Sequence, residues 1–182
     1  MTRVFFGGSR KIGRLNAEVR KRVQNVIESG FQILIGDANG ADKALQEYLA
    51  EQKYLNVTVY CSGHLCRNNI GSWKTEYVAS DRVKKDFEHY ARKDAQMGRD
   101  AEYGFFLWDG KSRGTLSNVF TLMAQNKKAV VYFSPTKGFV TVRSTRDLEE
   151  LITRCDPGIA QTIRRRLSSK TDSKEQSRLD FA

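Results

Sequence analysis

Four stretches of this chain combine glycine with small polar or charged residues beside apolar runs. Gly7-Gly8-Ser9-Arg10 follows Arg3–Phe6, and Gly36-Asp37-Ala38-Asn39-Gly40-Ala41-Asp42 follows Phe31–Ile35. Arg92-Lys93-Asp94-Ala95-Gln96-Met97 precedes Tyr103–Trp108, and Asp109-Gly110-Lys111-Ser112-Arg113-Gly114-Thr115 follows it. Glycine lets a ligand approach the main chain closely. A strand that feeds a glycine loop and then a helix presents free N–H groups and a positive dipole at one rim. Several such loops on the same rim of a parallel sheet form a crevice suited to a phosphorylated molecule. The implied chemistry is recognition of a nucleotide or a nucleotide-derived small molecule.

Each stretch also has a plainer reading. Gly7 and Gly8 form either a phosphate nest, with Ser9 and Arg10 as donors, or a tight strand-to-helix turn. Gly36 and Gly40 bracket a turn that carries Asp37 and Ala38. Asp42 falls in the first helical turn, where a carboxylate caps the dipole first and touches a ribose or base second. Arg92 and Gln96 are four apart, hence on one helix face, with apolar Met97 beside them. On that helix Lys93 reads as an ordinary charged-helix residue and Arg92 as the ligand cation. Asp109 either contacts a ribose or base or caps its own loop. Gly110, Ser112, Arg113, Gly114 and Thr115 complete that loop as main-chain and side-chain donors.

The elements that must position these residues follow from hydrophobic spacing. Arg3–Phe6, Phe31–Ile35, Val57–Cys61, Tyr103–Trp108 and Lys128–Phe133 read as strands, and Phe139–Val142 as a short sixth. Leu15–Ser29, Ala41–Glu51, Asp81–Arg99, Thr115–Gln125 and Thr145–Cys155 read as helices. Ser62–Ser80 reads as a long irregular connection, the kind that is often functional. The alternation predicts an α/β fold: one doubly wound, Rossmann-like, mainly parallel sheet of five or six strands in a single domain over 1–155. A basic helix and flexible tail are expected over 156–182, with Ser168–Lys174 frayed.

The chain has 182 residues, 31 basic and 21 acidic, a net charge of +10. Residues 154–182 contribute seven basic and four acidic residues, so most of the excess sits in the body. That balance favours anionic partners. The run Ile163-Arg164-Arg165-Arg166-Leu167 suits a solvated helix end more than a nucleic-acid grip. Cys61, Cys66 and Cys155 cannot all pair, and the N-terminus enters directly into a strand-like run, so a reducing cytoplasm is expected. No stretch approaches the ~20 apolar residues of a membrane span. Cys61, His64 and Cys66 are zinc-type donors without a fourth partner nearby, so no metal is expected. Trp73 and Tyr77 either stack on a base or anchor their segment to the core.

Arg92-Lys93-x-x-Gln96-Met97, then an apolar strand, then a glycine loop ending Gly114-Thr115, resembles the LOG proteins, cytokinin-activating phosphoribohydrolases once labelled lysine decarboxylases. Gly7–Arg10 and the Gly36–Asp42 loop resemble the wider SLOG superfamily, with its DprA-like and YpsA/YspA-like branches. The resemblance runs from residue 1 to about residue 135, with four motifs in order. It implies a Rossmann-like fold, a nucleotide-type ligand, no cofactor, and a homodimer or higher homo-oligomer. LOG enzymes place a catalytic glutamate three residues after the threonine, where this chain has Asn118. An amide is neither nucleophile nor general base, so the resemblance implies ligand binding ahead of hydrolysis. The alternative is an N-glycosidase, phosphoribohydrolase or deoxyribosyltransferase in which Asp109, Asp94 or Glu76 replaces the glutamate. A DprA-like single-stranded DNA binder is a third expectation.

Overall fold

The computed structural model describes residues 1–79, 87–155, 157–161 and 164–165. In chain order the elements are β1 (Arg3–Gly8), α1 (Ala17–Glu28), β2 (Gln32–Gly36), α2 (Ala41–Glu51), β3 (Val57–Ser62) and β4 (Lys74–Val78). They continue with α3 (Phe87–Asp100), β5 (Tyr103–Trp108), α4 (Arg113–Met123), β6 (Lys128–Phe133), β7 (Gly138–Val142) and α5 (Thr145–Ile152). All seven strands join one sheet, in the order β4-β3-β2-β1-β5-β6-β7. Every pairing is parallel except β6 with β7. From β1 the chain first winds outward through β2, β3 and β4, then returns to the other side of β1 as β5. The direction of winding therefore reverses between β1 and β5, the switch point at which open α/β sheets bind ligands.

The two-residue period of the strands explains why both faces are apolar. Phe5, Leu34, Tyr60, Phe106 and Trp108 pack with Leu116, Val119 and Phe120 of α4 and Leu148 and Leu151 of α5. Val4, Phe6, Ile33, Ile35, Val59 and Leu107 face the other way, onto Val19 and Val23 of α1 and Leu45 and Leu49 of α2. Burying one such side chain contributes about 1.5–3 kcal/mol. The starts of α1, α4 and α5 are capped by side chains. Asn16 Oδ1 accepts from Val19 N at 2.9 Å, and Ser144 with Asp147 forms a reciprocal capping box at α5.

The α/β class and the doubly wound sheet are as expected, with one strand more than the pattern predicts. That strand is β4, inside the segment read as irregular. None of its residues is buried, so it carries no apolar run. Trp73, just before it, is buried, and its indole N–H donates to Tyr54 O at 2.7 Å, which makes it an anchor. Tyr77 is exposed on β4. Residues 157–161 are helical, and Ile159 and Ala160 join the core under α5. The expected start of α3 at 81–86, the stretch Ser168–Lys174 and most of the tail lie outside the described residues. Among the described residues, no helix is long and apolar enough to cross a membrane.

Candidate functional site

A cleft of about 600 Å³ opens where β1, β2 and β5 end. Its floor is Phe5, Gly7 and Gly8 of β1 and Met97 of α3; its walls are the β1–α1 loop, the start of α2, and the loop and first turn of α4. The strand ends are locked together by Ser9, which is fully buried. Its N–H donates to Leu107 O at 2.8 Å, and its carbonyl accepts from Ala41 N at 3.2 Å. Its hydroxyl donates to Asp109 Oδ1 at 2.9 Å and accepts from Asp109 N at 3.1 Å. Ser9 is thus a fastener between three loops and does not line the cleft.

Asp109 caps its own loop. Its Oδ1 also accepts from Lys111 N at 3.0 Å and Ser112 N at 2.8 Å. Partial burial would raise its pKa, but these N–H donors and the Ser9 hydroxyl outweigh burial and hold the carboxyl below its ordinary value. Ser112 caps α4, accepting from Thr115 N at 3.3 Å and from Thr115 Oγ1 at 2.9 Å. The N–H groups of Arg113 and Gly114, at the first positions of the helix, have no intrahelical acceptor, and both residues line the cleft. A ligand anion at this end would therefore meet the dipole and two amides, with Lys111 and Arg113 beside them.

At the other end lies a buried charge network. Lys93 is buried, and its Nζ sits 2.6 Å from Asp94 Oδ1. Asp94 Oδ2 accepts from Asn118 Nδ2 at 3.1 Å. Gly36 makes room for this group: a Cβ there would lie 2.5 Å from Asp42 Oδ2 and 2.7 Å from Lys93 Nζ. Burial, only partly countered by Lys93, pushes the Asp42 carboxyl up to about 7. Burial disfavours the Lys93 charge, but the Asp94 and Asp42 carboxylates outweigh it and raise the ammonium pKa. Gly40 holds the same loop, with φ at +84° and its α-carbon against the Arg10 backbone, where no side chain fits.

The third contributor is the segment after β3. Gln46, buried on α2, donates to Gly36 O at 2.9 Å and Asn68 O at 3.2 Å, and accepts from Ile70 N. Asn68 Nδ2 donates to Asp37 O at 2.7 Å. These bonds lay the segment over the β2–α2 loop and bring Arg67 into the cleft. Arg67 NH2 lies 2.6 Å from Asp37 Oδ1, and its Nε and main-chain N donate to Oδ2 at 2.9 and 3.1 Å. Asp37 is buried, which would raise its pKa, but the Arg67 hydrogen bonds outweigh that and hold it below the ordinary value.

Of the expected ligand residues, Gly7, Gly8, Arg10, Ala38, Asp42, Met97, Asp109, Ser112, Arg113, Gly114 and Thr115 line the cleft together. Gly36, Asp37, Gly40 and Gly110 support it from behind without lining it. The α3 reading is reversed: Lys93 lines the cleft, whereas Arg92 is exposed and outside its lining. The two are adjacent on a helix, so they point about 100° apart, and the buried side belongs to Lys93 and Met97. Gln96 donates to both carboxylate oxygens of Asp100 at 3.0 Å and takes no part in the lining. Among the carboxylates named as catalytic candidates, Asp94 and Asp109 line the cleft, and Glu76 sits on the exposed edge strand β4. Lys11, Arg67 and Lys111 were not singled out from the sequence, and Lys93 was read there as an ordinary charged-helix residue. Only the length of the Ser62–Ser80 segment hinted at Arg67.

The cysteines also depart from the reduced state expected of them. Cys61 and Cys66 are joined by a disulfide, their Cα atoms 5.1 Å apart, and Cys155 takes no part in it. Gly63, with φ at +74°, turns the chain back on itself between the two.

No protein-family model matches the chain, and no curated protein matches it significantly. A solved structure of DNA processing protein A from Helicobacter pylori, described for its single-stranded DNA binding mode, is similar in fold. Its TM-score is 0.55 at 14% identity, over 71% of this chain and 64% of that one. At that identity the likeness speaks for the Rossmann-like architecture.

Proposed function

We propose that the protein binds a nucleotide or nucleotide-derived small molecule in the cleft at the β1–β5 switch point, as a SLOG-type ligand-binding protein. The observation that carries this reading is the arrangement of the cleft itself. Amides of an α4 N-terminus and the cations Arg10, Lys111 and Arg113 converge at one end. An apolar floor of Phe5 and Met97 lies beside them, and carboxylates able to accept ribose hydroxyls lie at the other end. Phosphate at the cationic end, base over Phe5 and Met97, and sugar toward Asp42 and Asp94 matches each part of such a ligand with its chemical complement. Asn118 binds Asp94 in place of offering a carboxylate, which favours binding over N-glycosidic hydrolysis.

Mass spectrometry of small molecules released from the purified, heat-denatured protein is the direct test. A phosphorylated nucleoside derivative is expected. Calorimetric titration with the released compound should give saturable binding that Arg113→Ala weakens by about 1.5–3 kcal/mol, the value of a charge-assisted contact. Arg92→Ala should cost less than Arg113→Ala. No released phosphorylated compound, together with no saturable binding of mononucleotides, would overturn the reading.

The structural neighbour favours a second reading, single-stranded nucleic acid lying along the same cationic rim. Single-stranded DNA binding is described for that protein; here the reading is supported by the shared fold and by the net charge of +10.

A further inference from the structure

We propose that Cys61, Cys66 and Asp37, once the disulfide is reduced, form a binding site for a divalent thiophilic cation of the zinc class. The donor atoms of all three residues lie within 4.8 Å of one another. Neighbouring strands bring them together: Gly36 pairs with Tyr60, so Asp37, the next residue after β2, stands beside Cys61 of β3. The turn at Gly63 returns Cys66 to the same spot. Asp37 and Cys61 are buried, and Cys66 is partly exposed, which gives the group a path to solvent. His64, exposed on the turn, is not part of the group.

The donor set suits the ion. Two thiolates and a carboxylate are zinc ligands at about 2.3 and 2.0–2.2 Å, with a fourth position left for water. Tetrahedral coordination at those lengths sets the donors roughly 3.3–3.8 Å apart, so the two sulfurs, bonded to each other in the disulfide, move apart on reduction to take the ion, within the 4.8 Å that spans the group. Their summed charge of minus three exceeds that of the ion by one. Arg67, already bonded to Asp37, supplies the compensating positive charge and orients the carboxylate from outside the site. Asp37 Oδ1 accepts from Arg67 NH2 at 2.6 Å, and a carboxylate oxygen has a second lone pair for the metal.

Two balanced steps lead from the disulfide to the metal form. A dithiol reductant transfers two electrons and two protons to the Cys61–Cys66 bond and is itself oxidised to a disulfide. The ion then binds the two sulfurs and displaces one proton from each. Disulfide and metal exclude one another. Either one pins Cys66, and with it the neighbouring Arg67 at the cleft.

The test uses the full chain, reduced with a phosphine and freed of metal by chelation, and titrated with Zn²⁺ against a chromogenic chelator. The expected result is one equivalent bound by the reduced chain and none by the oxidised chain. Cys66→Ser and Asp37→Asn should each weaken binding by an order of magnitude or more, while Cys155→Ser leaves it unchanged. Co²⁺ in place of Zn²⁺ should show thiolate-to-metal charge-transfer absorption. In the unmutated chain Zn²⁺ should protect Cys61 and Cys66, but not Cys155, from alkylation, a readout independent of whether any variant folds. No stoichiometric uptake, or uptake and protection that persist in Cys66→Ser, would overturn the site. Unchanged affinity in a folded Asp37→Asn would remove Asp37 from it and leave a thiol pair only.

Discussion

Lys93 balances two carboxylates in the cleft, and its removal should be felt in stability before function. Lys93→Met leaves Asp42 and Asp94 facing each other with no ammonium between them. Breaking a buried pair costs about 3–5 kcal/mol, and the lower end applies because the Asp94 side chain is 22% exposed. Asp42, already displaced to about 7, can relieve the strain by keeping a proton. The loss measured by urea unfolding should therefore be larger at pH 8 than at pH 5; an equal loss at both would separate Asp42 from Lys93. Asp42 itself makes a second prediction. Its carboxyl is pushed up to about 7 in the folded chain, against an ordinary value of 3.8. Between those values the folded chain holds a proton that the unfolded chain lacks, so this group makes stability fall as pH rises from about 4 to 7, then level off. Lys93, Asp94 and Asp37 surround Asp42 and are common to wild type and Asp42→Asn. The stability difference between the two chains across that range isolates Asp42, and it should move against the wild type as pH rises. A difference that stays flat would mean that Asp42 is ionised throughout.

At the scale of elements, the loops at the β1–β5 switch point act as one unit through Ser9. Ser9→Ala removes the hydroxyl between Asp109 and Thr115 and should destabilise the fold by about 1–3 kcal/mol, with thermal unfolding as the readout. A change within 0.5 kcal/mol, the range of ordinary surface substitutions, would show that the loops hold without it. Gly114→Val places a branched side chain at the first turn of α4, where a phosphate would meet the main chain. Circular dichroism should show a folded chain that no longer binds; unfolding would assign Gly114 to packing. Much of this was legible in the sequence. The apolar runs Phe31–Ile35 and Tyr103–Trp108, broken only by Gln32 and Gly104, marked strands buried on both faces, and glycines at their ends marked the rim. β4 was not legible, because an edge strand reading Lys-Thr-Glu-Tyr-Val has no buried face to imprint a pattern. Lys93 and Arg67 were not legible either, for a different reason. Lys93 acquires its role only because Gly36 and Asp42 arrive from β2 and α2, and Arg67 only because Gln46 and Asn68 fold its segment across the sheet edge. Neither meeting leaves a local spacing to read.

For the molecule as a whole, a net charge of +10 attracts any polyanion, so mere binding to nucleic acid would not distinguish the two readings of the cleft. Salt dependence does. Four cations, Arg10, Lys11, Lys111 and Arg113, line the rim, while Arg67 and Lys93 lie against Asp37 and Asp94. A single strand that neutralises a phosphate with each of the four releases counterions with a log–log slope of roughly −0.7 per contact, on the order of −3 in all. A mononucleotide has no condensed counterion atmosphere of that kind and draws on amides, the apolar floor and sugar contacts, so its affinity should fall more gently. Fluorescence anisotropy of a labelled oligonucleotide and calorimetry of a mononucleotide, each across a salt series, give the two slopes. The expected outcome is saturable mononucleotide binding with the shallower slope, and an oligonucleotide that the mononucleotide displaces. Replacing both Lys111 and Arg113 by alanine should then weaken both ligands, lowering the oligonucleotide slope by about 1.4. A slope near −3 for the oligonucleotide, with no saturable mononucleotide binding at any salt, would transfer the cleft to single-stranded nucleic acid.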